Sequence, residues 1–464
     1  MSLPIRSQSA LEYMMTYGWA ILIIVIVAGV LYSLGIFSPS SSLSTTITGF
    51  ANLGTVNAVC LGGTSFTISM GDSTGYPINI TQINLTSSSG KTTYSPNILI
   101  QSNSIQTVTV PSSSLCSPGA RYSVSAVISY LEPGQIFPVP YTSTGTVAGT
   151  AVSPPSSATS YEPLTITNSQ NQGTPTPFQQ MINVTSSSPG WADISSSPFG
   201  QNVEFFSVTG QILDSWLENY TSTHAIWWVK LTSSIPVGSK QTIYMGFAST
   251  STNLFNTNNI GEAPRLSPTY AEYDDGVNVF NFYDNFAGTS LNTQDWTNGI
   301  TQTGGIVTVN NGLTLTGGSS WAQLRANEMF DPQTSVAEFY GNMTGSSYMQ
   351  FGYTNPYQYI IDIVDSSQNQ YAIFAWNDTQ SVYHPFTANN NNDIFSVWIN
   401  STDISGGYNY RTLTYSLNNI QAVTNESLAF QMFDSEEKIY AQWARVRAYP
   451  PNGVMPSVSF GSVS

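Results

Sequence analysis

The segment from residue 19 to residue 37, WAILIIVIVAGVLYSLGIF, contains no charged side chain. A helix that packs on a globular core carries a polar stripe at the 3.6-residue period, and this segment has none. The pattern therefore predicts a helix that is surrounded on every side by lipid or by copies of itself. Counted from residue 8 to residue 37, such a helix measures about 45 Å at 1.5 Å per residue, which is enough to cross a bilayer.

The rest of the chain is polar without being charged. Charged residues make up 8% of the sequence, whereas a typical soluble protein has about 25%. Short runs such as TSFTISM and YSVSAVISYL alternate polar and apolar residues between turn residues, which is typical of antiparallel strands. The predicted fold class is mainly β, with a long N-terminal hydrophobic α-helix followed by three β-sandwich domains. Proline- and serine-rich stretches predict a hinge at 38–46 and a linker at 151–160. The hinge and linker separate the helix at 8–37 and the β domains at 47–150, 161–281 and 282–464.

The charge pattern and the scarcity of reactive side chains exclude several functions. Net charge is −15 with eleven lysines and arginines, so a basic surface for nucleic acid is not expected. The two histidines, His224 and His384, lack supporting partners for a zinc site or a catalytic triad. The closest match to the two carboxylates that a glycoside hydrolase needs is Asp362 and Asp365, which are three residues apart and would face opposite sides of a strand. We therefore predict no enzyme activity, no cofactor and no metal, although the turn around Asp274 offers oxygen ligands that calcium accepts.

Two features indicate an extracellular setting. Cys60 and Cys116 would form one disulfide outside a reducing cytosol, worth about 4 kcal/mol in the chain-entropy model; two unrelated buried thiols are the alternative. Glycosylation sequons of the type Asn-x-Ser/Thr are also frequent. The candidate sites are Asn79, Asn84, Asn183, Asn219, Asn342, Asn377, Asn400 and Asn425.

The N-terminus resembles a known class of processed leaders. Arg6 and Ser7 precede QSALEY, which resembles the class III leader of archaeal type IV pilins and archaellins. The resemblance implies that a prepilin-peptidase-like enzyme cleaves between Ser7 and Gln8 and removes the leader at 1–7. It also implies a membrane-bound precursor that a membrane assembly platform builds into a helical polymer of identical subunits. A simple signal anchor is the alternative. The residues expected in subunit packing are Glu12, Trp19, Ala28, Gly29, Tyr32 and Gly35.

The later β domains carry two further resemblances. The segments WLENYTSTHAIWWVKL and IYMGFASTSTN are similar to a β-sandwich domain of unknown function from archaeal and bacterial surface proteins. Residues 282–464 resemble a jelly roll of the concanavalin or laminin-G type, in which exposed rings often stack on sugars. That resemblance makes Tyr353, Tyr357 and Trp376 candidate sugar contacts, with a place in the sandwich core as the alternative.

Together these features predict a structural subunit of an archaeal type IV pilus-like or archaellum-like surface filament. Its β domains would be exposed for adhesion or protection, and surface glycans would be possible partners. The alternative function is a membrane-anchored, carbohydrate-binding adhesin that does not polymerise.

Overall fold

The computed structural model describes residues 45–133, 139–345, 349–354, 358–365, 370–376, 381–387, 392–400, 403–416 and 425–463. Within these residues the fold is built from strands, with one α-helix, α1 (Gly276–Val279), and short 3₁₀ turns at Pro189–Asp193, Ile300–Thr303 and Pro451–Gly453. None of the described helices has the length and apolar character needed to span a membrane.

This architecture corrects the predicted fold class. The described chain is mainly β with a single short helix, and a long hydrophobic helix is not part of that fold. The β-sandwich part of the prediction is confirmed. The predicted processing and packing residues lie outside the described residues: Arg6, Ser7, Gln8, Glu12, Trp19, Ala28, Gly29, Tyr32 and Gly35.

The first sandwich packs a six-stranded sheet, in the order β1-β9-β8-β4-β5 with β6 also on β4, against a three-stranded sheet β2-β3-β7. Its strands are β1 (Thr46–Gly49), β2 (Leu53–Leu61), β3 (Ser65–Asp72), β4 (Ile78–Thr86), β5 (Lys91–Tyr94), β6 (Ile98–Ile100), β7 (Ile105–Pro111), β8 (Arg121–Leu131) and β9 (Tyr141–Thr150). Strict alternation along β8 places every second side chain, from Tyr122 to Tyr130, in the core, as period-two patterning requires. The predicted Cys60–Cys116 disulfide is confirmed within this core.

The middle sandwich packs sheet β12-β15-β10-β32 against sheet β11-β14-β13-β16. Its strands are β10 (Ser160–Thr167), β11 (Phe178–Thr185), β12 (Val203–Ser207), β13 (Ser215–Tyr220), β14 (His224–Leu231), β15 (Lys240–Phe247), β16 (Ile260–Glu262) and β32 (Ser457–Phe460). The last strand differs from the expectation of one continuous jelly roll at 282–464. Val458 and Phe460 of β32 pack on the middle core because β32 pairs antiparallel with β10.

The third sandwich has two large antiparallel sheets in jelly-roll fashion. The first has the order β19-β20-β31-β22-β27-β28-β29 with β17 on β31, and the second has the order β18-β21-β30-β23-β24-β25-β26. Its strands are β17 (Phe282–Asp284), β18 (Trp296–Asn298), β19 (Ile306–Val309), β20 (Leu313–Thr316), β21 (Ala322–Phe330), β22 (Ser335–Thr344), β23 (Met349–Thr354), β24 (Gln358–Asp365), β25 (Gln370–Trp376), β26 (Ser381–Thr387), β27 (Asp393–Asn400), β28 (Asp403–Tyr408), β29 (Arg411–Ser416), β30 (Glu426–Met432) and β31 (Lys438–Ala448).

The middle sandwich and the jelly roll share a separate apolar cluster at their junction. Trp216 and Trp228 come from the middle sandwich, and Ile394 and Trp443 come from the jelly roll. The two sandwiches therefore meet through buried aromatic surface, and the sites described next are formed at this junction.

Candidate ligand-binding site at the junction of two sandwiches

Two buried arginines lie at the centre of the junction. Arg445 and Arg447 are two residues apart on β31, so they project from the same face of the sheet. Arg445 is fully buried, and Arg447 is 7% exposed. Charged groups are rarely buried without partners because desolvation of an ion is costly.

The two arginines are neutralised by one glutamate from each sandwich. Glu338 on β22 accepts from Arg445 Nε at 2.7 Å and from Arg447 Nη2 at 2.9 Å. Glu218 on β13 of the middle sandwich accepts from Arg445 Nη2 at 2.9 Å. Burial alone would raise the pKa of Glu338, but the adjacent Arg447 and Arg445 lower it to about 2. Two positive and two negative charges therefore connect the sandwiches without leaving net charge inside.

Aromatic rings enclose the Arg445 guanidinium. The distances from its central carbon to the ring centres are 4.4 Å for Trp443, 4.6 Å for Trp228, 4.6 Å for Phe280 and 5.6 Å for Trp216. A cation over the face of such rings is stabilised by their quadrupole, most strongly where water is excluded. Arg445 thus gains both charge and packing contacts from the middle sandwich.

The two carboxylate oxygens of Glu218 differ in their number of hydrogen-bond partners. Its Oε2 accepts from Trp228 Nε1 at 2.8 Å, from Arg445 and from the Tyr410 hydroxyl. Its other oxygen, Oε1, is buried and has no hydrogen-bond partner among the described residues, and the same holds for Oδ1 of neighbouring Asn219. Glu218 as a whole is only 5% exposed. Two acceptors on adjacent residues are therefore left for a donor that the described chain does not provide.

A β-bulge explains why consecutive residues serve one site. The pairing of β13 with β14 shifts register between Leu217 and Asn219, which makes Glu218 the extra residue. In a regular strand Glu218 and Asn219 would face opposite sides, whereas a bulge re-aims side chains locally.

These two side chains line a cleft of about 210 Å³, which we call the Glu218 cleft. Its lining comes from both sandwiches: Glu218, Asn219, Ala263, Arg265, Leu266, Tyr340, Ile394, Gln442 and Trp443. Tyr340 stacks on Trp443 with ring centres 5.8 Å apart. The cleft thus offers a carboxylate oxygen, amide groups, a guanidinium and a half-buried aromatic ring, which together can bind a ligand with several hydroxyl groups.

A second cleft of about 280 Å³ at the same junction is more apolar, and we call it the Arg447 cleft. Its walls include the rings of Trp228, Trp398 and Tyr449, together with Met181 and Met455. Arg447 Nε is buried here without a partner among the described residues. This cleft offers fewer polar groups for orienting a hydroxylated ligand than the Glu218 cleft does.

The carboxylate of Asp274, at the turn considered for calcium, is used inside the protein. Asp274 Oδ1 accepts from Trp216 Nε1 at 2.8 Å, and its Oδ2 accepts from the Tyr283 hydroxyl at 2.7 Å and from Asn285 Nδ2 at 2.9 Å. Burial raises the pKa of Asp274 and outweighs the lowering by these hydrogen bonds. Among the described residues, no group of three or more His, Cys, Asp or Glu is arranged to hold a metal ion.

Of the three predicted sugar contacts, the structure describes the side chain of Tyr353. Tyr353 is fully buried in the jelly-roll core, where its hydroxyl lies 2.8 Å from Ser335 Oγ. It cannot stack on a sugar from solvent, because no face of its ring is accessible. Tyr357 and the side chain of Trp376 lie outside the described residues.

The sequons differ in accessibility. Asn183 and Asn425 are exposed. The half-buried sequon residues are Asn79, Asn84, Asn219 and Asn342. Asn377 and the side chain of Asn400 lie outside the described residues.

The sequence did not indicate that Glu218, Arg265 or Gln442 would line a cleft, and it marked Asn219 only as a sequon. A signal was present in SWLENY, where two polar residues follow two apolar ones and interrupt alternation. Such an interruption is consistent with a bulge, but it does not reveal which distant residues complete the cleft.

Part of the middle sandwich matches a described family. Residues 199–263 match the family "Domain of unknown function (DUF2341)", which confirms the resemblance noted for this segment. A curated relative, "Uncharacterized protein 562" of Sulfolobus islandicus rod-shaped virus 1, is 41% identical over 127 residues. The match covers 26% of this chain and 21% of the viral protein, so the chain spans about a fifth of that relative.

Several solved structures are similar to about a third of the chain. LamAcat from Zobellia galactanivorans has a TM-score of 0.29 at 10% identity, covering 37% of this chain and 98% of its own. Bacillus licheniformis beta-glucanase has a TM-score of 0.29 at 11% identity, covering 36% and 97%. A carbohydrate-binding module from Bacillus subtilis has a TM-score of 0.26 at 9% identity, covering 34% and 97%.

Proposed function

We propose that this chain is a carbohydrate-binding protein of the cell exterior and that the Glu218 cleft binds the saccharide. This is the adhesin function that the sequence left as its alternative. The filament function depends on residues 8–37, which lie outside the described residues, and it is not part of this proposal. The disulfide Cys60–Cys116 supports an oxidising, extracellular setting.

One observation carries the proposal: Glu218 and Asn219 line the cleft, and their buried acceptors Glu218 Oε1 and Asn219 Oδ1 have no hydrogen-bond donor in the described chain. A buried acceptor without a hydrogen bond costs about 1–3 kcal/mol, so a ligand that donates there recovers this free energy. Sugar hydroxyls are neutral donors that can reach two neighbouring acceptors. The half-buried Tyr340 ring and Gln442 supply the apolar and amide contacts that orient a ligand in such a cleft.

The test is binding of oligosaccharides to the full chain produced in a bacterium without N-glycosylation, first on an array and then by calorimetry with the best binder. Asn219→Ala removes one acceptor and leaves the Glu218–Arg445 ion pair in place. Because one hydrogen bond is worth about 1 kcal/mol, we expect Asn219→Ala to weaken binding roughly five- to tenfold.

Asn425→Ala is the matched control, because Asn425 is also a sequon asparagine but is exposed and does not line the cleft. It should bind as the unmodified chain does. Absence of binding to every oligosaccharide, or equal binding by Asn219→Ala, would contradict the proposal.

A further inference from the structure

The structure assigns to the Glu218 cleft a saccharide that carries a carboxylate, such as a uronic acid, with Arg265 binding that carboxylate. This inference rests on the proposed function and specifies its ligand class. It starts from a cation that the ion-pair network does not use, in a chain that has only eleven lysines and arginines.

Arg265 is held in place by two tyrosines. Its guanidinium carbon lies 5.8 Å from the ring centres of both Tyr270 and Tyr440, and its Nη2 donates to the Tyr440 hydroxyl. Tyr270 is fixed in turn, because its hydroxyl donates to Asn285 O at 2.7 Å and to Gln442 O at 3.1 Å. The guanidinium is therefore positioned before a ligand arrives, which lowers the entropy cost of binding.

Arg265 also retains N–H donors beyond the one that it gives to Tyr440. It is exposed, and no carboxylate of the described residues lies within 4.0 Å of it in an ion pair. A guanidinium has five N–H donors, of which two parallel ones match the two oxygens of a carboxylate. In contrast, Arg445 and Arg447 are both paired with Glu338.

The charges in the cleft give the ligand one orientation. Glu218 Oε1 and Asn219 Oδ1 accept hydrogen bonds, so they favour hydroxyl groups and disfavour a ligand carboxylate. Arg265, lining the same cleft, favours that carboxylate. A uronic acid provides hydroxyl groups for the two acceptors and a carboxylate for Arg265, whereas a neutral sugar leaves Arg265 without an anionic partner. The net charge of −15 repels acidic ligands elsewhere, so the preference must come from this local contact.

The test compares a galacturonate trimer with the identically linked galactose trimer by calorimetry on the full chain. Because a hydrogen bond to a charged group is worth about 1.5–3 kcal/mol, we expect the acidic trimer to bind at least about tenfold more tightly. Arg265→Gln should reduce this ratio to about one, because it removes the charged partner of the ligand carboxylate and so weakens binding of the acidic trimer more than binding of the neutral trimer. Arg121→Gln removes the same charge from an exposed position in the first sandwich and should keep the ratio.

The outcomes separate the two proposals. Equal binding of both trimers to the unmodified chain, or a preference that survives Arg265→Gln, would overturn the acidic specificity while leaving saccharide binding intact. If neither trimer binds the unmodified chain, while a different neutral oligosaccharide binds in the Asn219-dependent way, the acidic specificity is again rejected. If no saccharide binds at all, both proposals fail together.

Discussion

Arg445 connects the middle sandwich with the jelly roll through both ion pairs and aromatic contacts. It is buried at 0% exposure, bonded to carboxylates from both sandwiches and enclosed by aromatic rings. A buried ion pair adds little stability compared with a well-packed apolar pair, but removing one partner leaves an unpaired charge. The network therefore fixes the relative position of the sandwiches. Its effect on the free energy of unfolding becomes large when one of its charged residues is removed.

Replacing this arginine gives a prediction at the residue scale. Arg445→Met leaves Glu218 without its cation and Glu338 with Arg447 alone. We expect the free energy of unfolding in urea to fall by about 3–5 kcal/mol. Lys438→Met, an exposed position on the same strand, is the control and should change it by less than about 0.5 kcal/mol. A loss as small as the control's would show that the network is not a structural link.

Strand β32 is the element whose position most affects the architecture. It follows the jelly roll in sequence, yet it forms the edge of the middle sandwich through its pairing with β10. Partly buried Val458 and Phe460 add apolar contacts to the middle core. The jelly roll is therefore inserted between strands of the middle sandwich, and that sandwich is complete only when the end of the chain has docked.

Deleting residues 457–464 tests this element. Backbone hydrogen bonds of β10 to β32 would be lost, and exchange of the amides at residues 164–167 that bond to β32 should become faster by an order of magnitude or more. Strand β22 in the jelly roll should keep its exchange rates, as should every strand in the control Ser457→Thr. Equal protection of β10 after the deletion would mean that β32 contributes nothing to the middle sandwich.

At the scale of the whole molecule, buried carboxyl groups control the dependence of stability on pH. Burial is the largest cause that raises the pKa of Glu162, Glu262 and Asp275 to about 7 and of Glu426 to about 8. Their ordinary values are 4.5 for glutamate and 3.8 for aspartate. At pH values between the ordinary and the raised pKa values, the folded chain binds more protons than the unfolded chain. The free energy of unfolding therefore rises as pH falls through this range.

We therefore expect the melting temperature to increase from pH 8 to about pH 4. The stabilisation is complete below the unfolded pKa values and is lost as pH rises through about 7 to 8. At lower pH the trend reverses, because Glu338, with a pKa of about 2, must then be protonated and loses its ion pairs. Calorimetric scans from pH 2 to pH 8 measure this curve, and a melting temperature that is highest at pH 7–8 would contradict it.

The β class, the disulfide and the resemblance of the middle segment to a domain of unknown function could be predicted from the sequence. Alternation along runs such as YSVSAVISYL depends only on neighbouring residues, so it predicted strands that the structure confirms. The Cys60–Cys116 pair was predictable because the chain has just two cysteines. These features are local or arise from a very small set of possible pairings, and they require no knowledge of how distant segments pack.

The position of β32 and the assembly of the candidate site could not be predicted, because both depend on contacts between segments that are far apart in the sequence. Ser457 pairs with Thr167 across most of the chain, and Glu218 meets Arg445 although 227 positions separate them, as 445 − 218 gives. Tyr353 shows the same limit, because an aromatic residue in a strand is equally compatible with the core and the surface until the opposing sheet is placed. Long-range packing chooses among such alternatives by burying apolar area and pairing charges, and neither is encoded in the spacing of neighbouring residues.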